Sequence, residues 1–270
     1  MAVFYREISP FSRTPVSFEE VWKTYQPSDA LLFDRNGRVI HELRVNPAIQ
    51  RLGWTSLEQI SPALVKSVIG SEDRRFYSHH GVDWQAIIFA GVQHLMSSST
   101  RWASTISMQL AALTDKRLQR GKAQRSVERK FDQIIQALAL EQTWTKDRIL
   151  EAYLNLVSFR GELQGIATAS MGLFDKLPSG LDETESLILA SLIPSPNAPL
   201  DEVVRRACRL RDSLGFASSE ESIRETGENF FFSLPYPAPG CPGAGRGPAA
   251  FKDGKKRYLQ PGRESSAVCI

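Results

Sequence analysis

Residues 71–83, Ser-Glu-Asp-Arg-Arg-Phe-Tyr-Ser-His-His-Gly-Val-Asp, put three acids, two arginines, two aromatics and two histidines within thirteen positions. Taken alone, a charge cluster of this kind is more often a solvated helix end with internal ion pairs than a site. The case for chemistry starts with Glu72. It stands three residues after Ile69 and four before Phe76, so on a helix it shares their inward face. A partly buried carboxylate has its pKa raised by desolvation and can act as a general base near neutral pH. Asp73 lies about 100° further round the helix and cannot face the same substrate atom. Its expected work is to pair with an arginine or to cap a neighbouring helix. His79 and His80 could be a base or metal ligands; without a second ligand cluster, a structural hydrogen-bonding role is favoured.

Two further groups carry chemistry. Ser104-Thr105-Ile106-Ser107-Met108-Gln109 sets three hydroxyls and an amide at a helix start. Ordinary capping accounts for Ser104 or Thr105 but not for Gln109. The functional alternative is a set of neutral donors for an oxygen-rich ligand such as a sugar or phosphate. Arg129-Lys130 continues a basic run through Lys116, Arg117, Arg120, Lys122 and Arg125. Most of that run reads as a solvated face, but a pair entering an apolar helix is suited to hold a phosphate.

The elements that must position these groups are mainly helices. A β-hairpin over 30–43, turning at Asn36-Gly37, precedes them. Ser61-Pro62 opens a helix expected to reach Phe76. Further helices are expected over 84–96, from Ile106 to Leu113, up to Gln142, from Thr145 onward, from the capping box at Asp182 to Ile193, and over 201–214. Expected boundaries are an N-terminal segment 1–27, a domain 28–215, and a proline- and glycine-rich tail 216–270 that is disordered or foreign to the fold.

Of the 270 residues, 42% are hydrophobic and 23% charged, with a net charge of +3. That balance suits a globular protein and gives no warrant for a nucleic-acid binder. The three cysteines, Cys208, Cys241 and Cys269, form no zinc or disulfide spacing. No apolar run is long enough for a transmembrane helix, and the N-terminus lacks the apolar core of a signal peptide. The reading therefore expects neither export signal nor anchor in the sequence as written.

These residues carry a resemblance. Glu72 to Gly81 resembles the E-D-x-x-F-x-x-H-x-G motif of the peptidoglycan glycosyltransferases, glycosyltransferase family 51. Ser104 to Gln109 is similar to that family's S-T-[IL]-[ST]-x-Q, and Arg129 to Gln133 stands in the place of R-K-x-x-E. Lys146 to Asn155 resembles K-[DE]-x-I-L-E-x-Y-L-N, and Gly165-Ile166-Ala167-Thr168-Ala169 follows in order. The likeness covers about 28–214 and is strongest to the penicillin-binding protein 1C branch, through Ser107 to Leu110, Phe159 to Gly165 and Arg205 to Cys208.

The resemblance implies a lysozyme-like helical fold and polymerisation of lipid II, by inverting attack of an acceptor 4-hydroxyl on a donor that leaves as lipid pyrophosphate. It implies Glu72 as general base, Arg129 and Lys130 on the leaving group, and Ser104, Thr105 and Gln109 along the donor side. Asp73, Phe76 and His79 shape the first motif. It also implies Mg²⁺ or Mn²⁺, the growing glycan strand and a membrane surface as partners, and a place on the periplasmic face of the inner membrane. No transpeptidase motif, S-x-x-K or K-[ST]-G, occurs.

This sequence departs from the family pattern at several places. The second catalytic acid falls on Gln133, an amide that cannot bind a metal as an anion. Trp102-Ala103 replaces the usual small pair, and Ala112 a common basic residue. The departures and the tail keep open a truncated or frame-shifted, inactive remnant that binds lipid-linked glycan. A catalytic glutamate on a helix also suits a glycan-cleaving, lysozyme-like enzyme, though hydrolysis has no use for an Arg-Lys pair on a pyrophosphate.

Overall fold

The computed structural model describes residues 15–33, 35, 39–44, 49–89, 104–115 and 127–233. Its helices are α1 (Phe18–Thr24), α2 (Pro62–Glu72), α3 (84–89), α4 (Ile106–Thr114), α5 (Val127–Thr143), α6 (Lys146–Leu156), α7 (Ile166–Phe174), α8 (Glu183–Leu192), α9 (Leu200–Leu214) and α10 (Glu220–Ser233). The mainly helical class is as expected. Strands β1 (Asp29–Phe33) and β2 (Val39–Arg44) pair antiparallel, with Asp29 opposite Arg44 and Phe33 opposite Val39. The expected turn at Asn36-Gly37 lies outside the described residues, as do Trp102-Ala103 and the basic run 116–125. Strands β3 (Ser158–Arg160) and β4 (Leu163–Gln164) form a second small hairpin.

Local sequence chemistry sets the helix starts. Thr105 caps α4 by accepting the Met108 amide at 3.2 Å, and Thr145 caps α6. Asp182 and Glu185 form the expected capping box of α8. A cap of this kind contributes about 1 kcal/mol. One continuous core, with Leu64, Phe76, Ile106, Leu150, Tyr153 and Ile188 among its members, joins α2, α4, α6 and α8.

Three boundaries differ from expectation. Helix α2 ends at Glu72 rather than near Phe76, and a single 3₁₀ turn, Phe76–Ser78, follows. Asp73 leaves the helix at φ −160° and ψ 78° because its carboxylate turns toward other partners. The fold begins before residue 28: Phe18 of α1 meets the edges of Trp54 at 5.9 Å and Trp144 at 5.3 Å. It also continues past 215. Helix α10 buries Ile223 completely and packs so closely on α9 that a Cβ at Gly227 would stand 2.7 Å from Leu200 Cδ1. The compact unit ends at Leu234. The proline-rich composition starts only there, so a tail boundary drawn at 216 absorbed a helix with its own buried apolar residue.

Gly81 is the tightest backbone contact near the first motif. Its φ is +82°, and a Cβ there would stand 2.8 Å from the Ala137 carbonyl oxygen of α5. The positive φ alone costs an alanine about 1–2 kcal/mol, and the overlap with backbone adds to it. Gly53 has open space around its Cα and an ordinary φ. Gly81→Ala is therefore expected to lower the thermal unfolding midpoint clearly, and Gly53→Ala to leave it close to wild type, in parallel melts by circular dichroism.

Candidate functional site

The site is built where the end of α2 meets the start of α4. Tight packing sets the approach of α2: a Cβ on Gly70 would lie 2.8 Å from Leu214 Cδ2 of α9. Two residues later the helix ends in the adjacent carboxylates, and both reach α4. Glu72 Oε2 accepts a hydrogen bond from Gln109 Nε2 at 2.8 Å. Ser71 Oγ stands 3.4 Å from the other oxygen. Asp73 accepts the Ile106 backbone N–H, the first of α4, at 3.1 Å. The two acids thus meet different donors, side chains for Glu72 and a backbone amide for Asp73. Asp73 caps a neighbouring helix, one of the two expected roles, and the side chain beside it is the His79 ring rather than an arginine.

His79 Nε2 lies 3.0 and 2.9 Å from the two Asp73 oxygens. Its Nδ1 is buried without a hydrogen-bond partner. A bare ring nitrogen is tolerable there as an acceptor of a neutral imidazole, and an N–H would be costlier, so the favoured tautomer carries its proton on Nε2 toward Asp73. Phe76 is fully buried, and Lys146 Nζ sits 4.5 Å from its ring centroid. His80 is exposed.

Electrostatics separate the two acids only in part. Burial raises the pKa of Glu72; the Gln109 and Ser71 hydrogen bonds oppose it, neighbouring Asp73 adds to it, and Arg206 counteracts it. Burial likewise raises Asp73, against its bonds to His79 and Ile106. A raised carboxylate pKa in a polar cluster is the mark of a group that can exchange a proton near neutrality.

Helix α4 carries the remaining neutral donors and acceptors. Thr105 Oγ1 donates to the Gly81 carbonyl at 2.6 Å. Ser104 Oγ accepts from Lys130 Nζ of α5. Burial pushes the Lys130 pKa below its ordinary value. Ser104, Thr105, Gln109 and Lys130 are therefore brought to one helix end, and Gln109 joins them to Glu72. The side chain of Arg129 lies outside the described residues. Gln133 is half-buried on α5, one helical turn beyond Lys130 and on the same face.

Sequence reasoning missed three members of this cluster. Tyr153 Oη donates to Gln109 Oε1 at 2.8 Å. Glu141, with a side chain 5% exposed, receives Lys146 Nζ at 2.7 Å and the Ser107 hydroxyl. Tyr153 and Lys146 were counted within the fourth motif without a role. A lone acid in the apolar run of α5 was the available signal for Glu141. Other residues of that motif are structural: Glu151 accepts Trp54 Nε1 at 2.7 Å and the Leu57 amide at 2.9 Å, and Asn155 Oδ1 accepts the Thr55 amide at 2.9 Å.

Among the described residues Mg²⁺ or Mn²⁺ finds no ready set of anionic ligands. Among the described residues no group of three His, Cys, Asp or Glu side chains could hold a metal ion, and Gln133 offers a neutral amide where an anionic oxygen would be needed. Among the described residues no helix is long and apolar enough to cross a membrane.

Known proteins are similar in sequence to this chain. The family model described as Transglycosylase matches residues 36–214. The biosynthetic peptidoglycan transglycosylase of Pasteurella multocida (strain Pm70) is 36% identical over 172 residues, 62% of this chain and 68% of its own length. The protein of that name in Rhodospirillum centenum is 37% identical over 150 residues, 56% and 62% of the two chains. That of Mannheimia succiniciproducens is 40% identical over 143 residues, 53% and 57%. The chain thus spans 57% to 68% of the length of these relatives. They place it in the family without dividing it among branches. With Glu72 and Lys130 both tied to the start of α4, and the match running from residue 36 to 214, the chain belongs to the transglycosylase family, the peptidoglycan glycosyltransferases.

Proposed function

We propose that this chain polymerises lipid II into glycan strands at the periplasmic face of the inner membrane, with Glu72 as general base. The carrying observation is that the hydrogen-bond donors on Glu72 among the described residues are neutral, the Gln109 amide at 2.8 Å and the Ser71 hydroxyl at 3.4 Å, while burial raises its pKa. The family and the names of the relatives support peptidoglycan glycosyl transfer; lipid II and the place at the inner membrane are what the family resemblance implies.

In this reading the 4-hydroxyl of the acceptor sugar gives its proton to Glu72 as its oxygen forms a bond to the anomeric carbon of the donor. The bond from that carbon to the lipid pyrophosphate breaks on the opposite face, and the pyrophosphate departs with the electron pair. Lys130, oriented by Ser104, supplies positive charge to the departing oxygens, with Arg129 beside it in sequence. Charge stabilisation of this kind is commonly the largest single contribution to such a step. Asp73, Phe76 and His79 keep the loop after Glu72 in shape, and Gln133 offers hydrogen bonds where relatives carry an acid.

The direct test is incorporation of labelled lipid II into glycan by the full chain on vesicles. Glu72→Gln is expected to reduce kcat by about 10²–10⁴-fold, the usual worth of a general base. Undiminished synthesis by that variant would remove Glu72 from the role.

The raised pKa sets two signs. A general base works only when deprotonated, so activity should fall as pH drops through a midpoint above that of an ordinary glutamate. Stability runs the other way. Between the unfolded and the raised folded value, the folded state holds a proton the unfolded chain has lost, so stability falls as pH rises through that window. Above it the full cost of the buried charge is present. Glu72→Gln removes that charge and is expected to melt at or above the wild-type temperature at pH 7 while losing activity. Calorimetry checks this.

A further inference from the structure

Tyr153 is fully buried on α6. Among the described residues its hydroxyl has one hydrogen-bond partner, Gln109 Oε1 at 2.8 Å. Gln109 in turn donates from Nε2 to Glu72 at 2.8 Å. The two ends of an amide side chain are nearly equal in shape and exchange by a half-turn of the last torsion. With nitrogen toward Glu72, the amide donates and favours the carboxylate. With oxygen toward Glu72, only a protonated glutamate can complete the bond. The tyrosine decides between them. In the flipped orientation its oxygen could accept from the amide nitrogen, but its own O–H would lose the acceptor it has among the described residues, which is disfavoured in a buried place. We infer that Tyr153 is a positioning residue: its hydroxyl locks the Gln109 amide with N–H toward Glu72 and thereby keeps Glu72 a proton acceptor.

The inference rests on the reading of Glu72 as the base only for its consequence in catalysis; the orientation itself is geometric. Burial and the charge of Glu72 both push the Tyr153 phenol well up, so it remains a donor throughout the working range. The other groups that bear on Glu72 are Ser71 and Asp73 on its own segment and Arg206 from α9. Asp73 also faces Lys146 and His79. A change confined to the Tyr153 hydroxyl leaves all of these in place.

The experiment titrates the side-chain carboxyl carbon of Glu72 in the full chain with ¹³C-labelled glutamate, using Glu72→Gln to identify its resonance. Tyr153→Phe keeps the ring in the core and removes only the O–H. Its expected result is a Glu72 midpoint at higher pH than wild type, with the acid limb of glycan synthesis moving the same way. An unmoved midpoint overturns the inference. Gln109→Met fills the same space without hydrogen bonds and should raise the midpoint at least as far; no shift there overturns it equally, even if Tyr153→Phe does not fold. In a Gln109→Met background, adding Tyr153→Phe should move nothing further. An additional shift would mean that the tyrosine acts on Glu72 directly, and the relay would fail. Because the titration needs no turnover, the two readings separate. Full polymerisation by Glu72→Gln would reject the base assignment, whereas a midpoint shift in Tyr153→Phe would still support the relay.

Discussion

The docking of the α4 N-terminus onto the end of α2 is the constraint on which the site depends. Two carboxylates arrive side by side at residues 72 and 73, in a position where burial raises both pKa values. Buried charge has to find donors. Asp73 finds the first free amide of α4 and the His79 ring, and Glu72 finds the amide of Gln109 one turn on. The same helix start is closed from the other side by Thr105 on the Gly81 carbonyl. Gly81 can approach that closely because it has no Cβ to meet α5.

Around this corner three acids are treated differently. Glu141 has a lysine and a hydroxyl. Asp73 has an imidazole and a backbone N–H. Glu72 has an amide and a distant hydroxyl. Burial raises the pKa of both Asp73 and Glu72, so what separates them is the kind of donor: Asp73 is bonded to the backbone of α4, and Glu72 to side chains. Its neighbours, satisfied in full, keep the backbone rigid around it.

Lys146 shows how the scaffold is shared. It pairs with Glu141 and covers the face of Phe76, so α5, α6 and the loop after α2 are held by one ammonium group. Cation and ring attract each other through the ring quadrupole. Ser107 of α4 reaches the same Glu141. The Lys130 ammonium, bonded to Ser104, enters from the start of α5. Gln133 lies one turn further on. An amide there can donate and accept, but it brings no charge to the cluster.

Much of this was legible in the residues. The caps at Thr105, Thr145 and Asp182, the apolar periodicity of the helices and the inward face of Glu72 follow from rules that act within a few residues, and they hold in the structure. The ordered motifs were legible too, since their identity does not depend on distance. Other features were decided by contacts between segments far apart in the chain. Helix α2 stops at Glu72 because Asp73 is drawn to Ile106, thirty-three residues later. Helix α10 belongs to the fold because Ile223 is buried against it, not because of its composition. Tyr153 stands in the sequence only as one residue of the fourth motif, and its hydroxyl acquired a role only when folding placed it beside Gln109. Sequence by itself determined which groups were capable of chemistry, because side-chain type and local spacing are written there. Tertiary structure alone decided which donors each carboxylate meets, because that depends on which groups from distant segments come within about 3 Å of each oxygen.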